Sequence, residues 1–323
     1  MNDWFFVKKR RDGMQPQTTP HLPTVNKEKG WKVWWMLLRP HTLSAAFIPV
    51  TIGTVLALHE GSIKLSLFIA MLVASILIQA ATNMFNEYFD YKRGLDNENS
   101  VGIGGAIVRN GIKARTVLNL AFIFFGIATL IGLYICLMSS WWVAVIGIIC
   151  MLAGYFYTGG PIPIAYTPFG ELVAGFFMGN VIILIAFFIQ TETVTMKSFL
   201  ISLPIALLVG AILTANNIRD LDGDKENGRK TLAILLGKKN SIIFLAGMFL
   251  TAYFIIFILL FSGLTSFWTL LVLLSTPKAF KAVKLFIGKT LPIEMMPAMK
   301  ATAQTNVQFG FLLAIGLFIG HYL

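Results

Sequence analysis

Two short clusters hold eight of the chain's fifteen acidic residues. The first runs Asn83-Met84-Phe85-Asn86-Glu87-Tyr88-Phe89-Asp90-Tyr91-Lys92-Arg93-Gly94-Leu95-Asp96-Asn97-Glu98. The second runs Asn216-Asn217-Ile218-Arg219-Asp220-Leu221-Asp222-Gly223-Asp224-Lys225-Glu226. Each lies against an apolar run of membrane length, where a carboxylate costs about 3 kcal/mol by insertion scales. Hard divalent cations take oxygen ligands, combining one or two carboxylates with waters and substrate phosphates. Two facing carboxylate walls therefore suit divalent metal with a polyphosphate between them. Lys92, Arg93, Arg219, Lys225, Arg229 and Lys230 interleave the acids, and Arg109 follows in a glycine-rich stretch. Arg grips phosphate oxygens in pairs, and Lys contributes a point charge. Acid and base mixed at the mouth of an apolar bundle suit a substrate with a diphosphate head and a hydrocarbon tail.

Residues three, four and seven apart share one helix face. Asn83, Asn86 and Asp90 have that spacing, and Asn217, Asp220 and Asp224 repeat it. A single cluster of this kind reads as solvated charge at a membrane edge; two with matched spacing argue for a site. Asp96 lies beyond Gly94 and needs the chain to turn back, which Gly94 and Gly223 permit sterically.

The elements that must position these stripes are membrane helices. The chain has 323 residues, 56% hydrophobic, with mean hydropathy +0.75. Its charged fraction of 13% is about half that of a soluble domain. Apolar runs fall near 42–58, 65–86, 117–138, 141–157, 169–190, 198–217, 241–262, 266–286 and 303–323. These predict an all-α transmembrane bundle of about nine spans over residues 36–323. The clusters end the second and sixth runs, four apart and so on the same face. That predicts two four-helix repeats plus one helix around a central cavity. With nine spans, 24 of the 26 Lys and Arg fall on one side, and only Lys64 and Lys197 on the other. This bias puts the N-terminus and both clusters in the cytoplasm and the C-terminus outside.

The same bias accounts for the net charge of +11, so lipid is the expected anionic partner and nucleic acid is not. Cys136 and Cys150 sit in apolar runs and read as packing residues rather than a disulfide. Four histidines give little support to a haem or histidine-metal centre. Residues 1–35 read as a disordered or interfacial cytoplasmic segment without the apolar stretch of a cleavable leader. Trp31, Trp34 and Trp35 mark its approach to the membrane.

The pattern Asn86-Glu87-x-x-Asp90-Tyr91-x-x-Gly94-x-Asp96, with Asn217-x-x-Asp220-x-x-x-Asp224, resembles the paired motifs of the UbiA superfamily of intramembrane aromatic prenyltransferases. Arg39-Pro40-His41-Thr42-Leu43 and Gly228-Arg229-Lys230-Thr231-Leu232-Ala233 resemble the branch that acts on 1,4-dihydroxy-2-naphthoate in menaquinone synthesis. The resemblance covers about residues 36–323. It implies Mg²⁺ held by Asn86, Asp90, Asp96, Asp220 and Asp224. Glu87 stands where the family often has Asp, keeps the charge, and is counted with the ligands. The resemblance also implies polyprenyl diphosphate as donor, the naphthoate as acceptor, loss of CO₂ and diphosphate, and a bacterial cytoplasmic membrane. Asp90, Asp96, Asp220 and Asp224 would then be catalytic. Asn86, Lys92, Arg93, Arg109, Asn217, Arg219, Lys225 and Arg229 would contact substrate.

The loop from Tyr155 to Tyr166 carries Gly159-Gly160-Pro161, a tight-turn signal, and no Lys or Arg. Tyr155, Tyr157 or Tyr166 is a candidate to stack on the ring or its cation. Glu171 is a candidate to orient or deprotonate a ring hydroxyl, and Arg39 and His41 to meet the acceptor carboxylate, with interfacial anchoring as their alternative. An interfacial aromatic belt with a capping glutamate explains the same residues. A secondary transporter would place its charges nearer mid-membrane. A phosphoalcohol transferase would gather its aspartates in one motif. A 4-hydroxybenzoate-like acceptor remains an alternative within the superfamily.

Overall fold

The computed structural model describes residues 30–40, 42–61, 63–95 and 105–323. His41 and Asp96 lie outside the described residues, as do Asn97 and Glu98. Ten helices carry the fold: α1 Trp31–Leu37, α2 Ser44–Leu58, α3 Leu65–Lys92, α4 Ala114–Met138, α5 Trp142–Thr158, α6 Gly170–Thr191, α7 Met196–Glu226, α8 Leu232–Phe261, α9 Thr276–Phe286 and α10 Pro292–Tyr322. No strand occurs among the described residues. Each of the nine apolar runs folds as helix. Six helices (α3, α4, α6, α7, α8 and α10) are long and apolar enough to cross a membrane. Helix α2, with 15 residues, spans about 22 Å, short of a hydrocarbon core of about 30 Å.

The eighth run is compound. A 3₁₀ segment, Phe267–Ser275, leads into α9, with Pro277 in the first turn, where its missing N–H costs nothing. Helices α8 and α10 begin well before the apolar runs that mark them, α8 with a kink at Gly237. Helix α6 contains a π-helical stretch, Gly175–Val181. There Gly179 lets it approach α7 so closely that a Cβ would sit 2.3 Å from Ala206 Cα.

Helices α3 and α7 outrun their apolar stretches and end alike. Beyond α3, Gly94 takes φ 73°, its N–H donates to Tyr91 O, and Leu95 N–H donates to Asp90 O. Beyond α7, Gly228 takes φ 74°, its N–H donates to Lys225 O, and Arg229 N–H donates to Asp224 O. Both are Schellman caps, and Asp90 and Asp224 occupy the same position in each. The turn expected of Gly223 is made by Gly228 instead; Gly223 stays within α7. Helix pairs α3–α4 and α7–α8 make the most extensive packing in the molecule, at equivalent places in the two halves.

The cavity lies inside the helix bundle. Large side chains, including Phe249, Phe286 and Phe309, fill the half built on α7 to α10. Small ones, including Ala74, Ser75, Ala128, Gly132, Ala144 and Gly147, face a void of about 320 Å³ bounded by α3 to α7 and the start of α2. Helices α8 and α10 contribute nothing to its described wall.

Candidate active site

The cavity reaches the end of the bundle where the acidic residues lie. Asn86 of α3 and Asn216 of α7 line that end, with Arg39 and Tyr157. Asp90 lies one turn farther out than Asn86, and Asp224 two turns beyond Asn216. Arg229 joins the two helices. Its Nη2 is 3.1 Å from Asp90 Oδ1, and its Nη1 is 3.1 Å from Asp224 Oδ1. The Schellman turn at Gly228 reverses the chain and so delivers the guanidinium to this position. The Tyr166 ring lies 4.9 Å from the guanidinium carbon, and Lys230 N–H donates to Tyr166 O. Burial pulls the Arg229 pKa down, but the carboxylates of Asp90 and Asp224 outweigh it and hold the group above its ordinary value. The guanidinium is a fixed positive charge between two carboxylates.

Glu87 has other work. It is 1% exposed, and its Oε1 accepts from Gly105 N–H at 2.7 Å and Ile107 N–H at 3.3 Å. Arg39 Nη2 stands 3.7 Å from its Oε2. Glu87 thus hangs the 105–111 turn on α3, and its oxygens face that turn and Arg39. Arg109, in the same turn, packs over Gly105. Arg39 adopts φ 52°, unusual for a side-chain-bearing residue, and such strain concentrates at functional sites. Asn83 holds this segment by donating to Leu38 O and Thr42 Oγ1.

Several candidates from the sequence are placed away from the cavity. Arg93 donates to the carbonyls of Thr158 and Gly160 and lies against the rings of Phe89 and Tyr166. It fastens the Gly159-Gly160 turn to α3. Arg219 pairs with Asp220 and points its Nη1 at the sulfurs of Met296 and Met299 on α10. Tyr155 packs edge-on against Phe85 and Phe89 and is not part of the described cavity wall. Lys92 and Lys225 are exposed at the helix ends.

Asn217 donates to Glu171 Oε1 at 2.8 Å, fixing a carboxylate that is 4% exposed. The hydroxyl of Tyr157 lies over Gly170, the next residue, where an added Cβ would be 3.2 Å away. The cavity-facing amide of α7 is therefore Asn216, which the reading of the stripe passed over. Asn216, Asp220 and Asp224 are spaced by four, which is as helical as the seven-residue stripe through Asn217. Gln79 and Thr82 also line the cavity and carry no signal in the sequence beyond their polarity in an apolar run.

The model of the UbiA prenyltransferase family matches residues 46–292. The chain is 55% identical to the 1,4-dihydroxy-2-naphthoate octaprenyltransferase of Bacillus subtilis (strain 168), over 95% of this chain and 97% of that one. It is 25% identical to the enzyme of the same name from Escherichia coli (strain K12), over 90% and 96%. Among solved structures, a UbiA homolog from Aeropyrum pernix K1 superposes with TM-score 0.65 at 16% identity, covering 89% of this chain and 98% of that one. A UbiA homolog from Archaeoglobus fulgidus bound to DMAPP and Mg²⁺ superposes with TM-score 0.59 at 14% identity, covering 88% and 99%. Likeness at such identity establishes the fold. The family model and the Bacillus relative, each matching most of the chain, go further: this protein belongs to the UbiA prenyltransferase family.

Proposed function

We propose that the protein transfers a polyprenyl group from polyprenyl diphosphate to 1,4-dihydroxy-2-naphthoate, with loss of CO₂ and diphosphate, giving demethylmenaquinone. The observation that carries this reading is the bridge from Asp90 through Arg229 to Asp224 beside the mouth of an apolar cavity. Such a site suits an anionic head with a hydrocarbon tail. The choice of acceptor is supported by the 55% identity to the Bacillus relative. The positive-inside bias supports a cytoplasm-facing site in a bacterial cell membrane.

A divalent metal suits the donor set. Asp224 Oδ2 is buried without a hydrogen-bond partner, and Asn86 faces the cavity. Among the described residues, no three Asp, Glu, His or Cys side chains cluster closely enough to hold an ion by themselves. That is expected where substrate phosphates complete the shell. Asn86, Asp90, Asp220 and Asp224 would hold Mg²⁺, with Asp96 as a further candidate. Bound Mg²⁺ neutralises the charge that grows on the leaving diphosphate.

The chain's own residues do the rest. Arg229 offers a paired grip on diphosphate oxygens, already held at the right place by its carboxylates. The allylic C–O bond breaks, and its electron pair leaves with diphosphate. The cavity keeps water from the cation, and Tyr157 at its lip presents an aromatic face that favours positive charge. Glu171 is held through one oxygen by Asn217, while its Oε2 is buried and unpartnered. Glu171 lies behind the described cavity wall, so it would meet a ring hydroxyl only where the acceptor displaces the wall beside it. There that oxygen would accept the hydroxyl and raise the electron density of the attacking carbon. Departure of CO₂ returns the electron pair to the ring.

The test supplies purified protein with labelled prenyl diphosphate and several aromatic acceptors in parallel, with and without excess chelator. Label should enter the naphthoate product and stop with chelator. Label entering 4-hydroxybenzoate instead, or product formation indifferent to chelator, would contradict the reading.

A further inference from the structure

Arg219 is 8% exposed, yet its guanidinium carries a charge that no ordinary pH removes. Every nitrogen of that group has a partner. Nε donates to Asp220 Oδ1 at 2.7 Å, and Nη2 donates to Asp220 Oδ2. Nη1 donates to the sulfurs of Met299 at 3.0 Å and Met296 at 3.5 Å, both on α10. Arg219 forms no part of the described cavity wall. Its guanidinium is committed to Asp220 and α10, not offered to a diphosphate.

The fork onto Asp220 is not a default of helix geometry. Neighbouring residues of an α-helix point about 100° apart and do not face each other. Here the two side chains swing together, and the methionines hold the remaining nitrogen on α10. That anchor belongs to the packed core, where Met299 lies with Met295 and Ala298. Asp220 is different. Its side chain is 37% exposed, and the fork leaves about two of a carboxylate's four lone-pair sites free. It stands one turn before Asp224 on the same face of α7. Each of these carboxylates thus has its own guanidinium, Arg229 for Asp224 and Arg219 for Asp220.

We propose that Arg219 is a positioning residue: clamped on α10 by Met296 and Met299, it fixes the Asp220 carboxylate in the orientation from which Asp220 takes up metal. Carboxylates that hold metal are themselves oriented by hydrogen bonds, and losing such a bond costs about 10- to 100-fold in metal affinity. Through this clamp α10 acts on the site although it contributes nothing to the described cavity wall. This inference rests on the prenyl-transfer reading above, in which Asp220 is a metal ligand.

The experiment measures the Kd of Mn²⁺ for the purified full-length protein by electron paramagnetic resonance, with a non-hydrolysable prenyl diphosphate analogue present. Arg219→Lys keeps a charge beside Asp220 but has no fork, and the Kd should rise about tenfold. The double variant Met296→Leu, Met299→Leu conserves volume and leaves both Arg219 and Asp220 in place. It removes only the sulfur acceptors, and the Kd should rise about threefold. Melting temperature is read alongside. A lower melting temperature with an unchanged Kd in both variants means a purely structural Arg219 and overturns the proposal. Tighter uptake by Arg219→Lys overturns it too, because the guanidinium then competes with metal for Asp220. A rise in Arg219→Lys alone overturns the part given to α10. If Arg219→Lys does not fold, the methionine variant decides by itself. Absence of analogue-dependent uptake by the unsubstituted protein would instead overturn the prenyl-transfer reading.

Discussion

Replacing Asp224 by Ala, or Asp90 by Ala, should lower kcat/KM for the prenyl donor by about 10³-fold or more, equivalent to about 4 kcal/mol of transition-state stabilisation. The reason lies in how the two carboxylates share a task. Each comes from the same position in a Schellman cap on its own helix, and Arg229 lies 3.1 Å from both. The leaving diphosphate gains charge as the allylic bond breaks, so whatever stabilises that charge acts mainly in the transition state. Removing one wall leaves the other with Arg229 but breaks the two-sided clamp. Folding should survive, because Arg229 keeps a partner in either variant. Initial rates on monodisperse protein at saturating acceptor give the measurement. Turnover near that of the unsubstituted protein in either variant would remove the pair from the mechanism.

The second large effect is on stability. Glu87→Ala should cost about 3 kcal/mol, because Gly105 N–H and Ile107 N–H lose their buried acceptor and Arg39 its counter-charge. Glu87→Gln keeps a carbonyl oxygen for those two donors and should recover most of that loss. The readouts are melting temperature in detergent and hydrogen exchange of the 105–111 turn. Activity separates this role from metal ligation. If Glu87 positions the turn, Glu87→Gln stays far more active than Asp90→Asn; if it holds metal, the two fall together.

The apolar runs foretold the helices because a bilayer requires long apolar segments with internally satisfied backbones. The stripes foretold that Asp90 and Asp224 converge because spacing on a helix fixes direction. Neither signal reports what lies opposite a residue. Arg93 and Glu87 resemble phosphate and metal contacts in their motif, yet each is engaged by backbone from a segment far along the chain. Asn216 and Asn217 are adjacent and chemically identical. Only the packing of α6 against α7 decides that one faces the cavity and the other Glu171. Side-chain volume shapes the cavity: Gly, Ala and Ser are frequent in its wall, while large side chains including Phe249, Phe286 and Phe309 fill the core away from it. That contrast is written in the composition of the helices, but its meaning depends on which faces meet.

In the proposed mechanism α3 and α7 bring their carboxylates together to hold a metal-bound diphosphate. Mn²⁺ offered in place of Mg²⁺ can be counted by its electron paramagnetic resonance signal, with and without a non-hydrolysable prenyl diphosphate analogue. The account predicts that the analogue draws Mn²⁺ onto the protein, and that Asp90→Asn and Asp224→Asn each abolish this uptake although they lie on different helices. Uptake that survives in either variant, or that ignores the analogue, would contradict it.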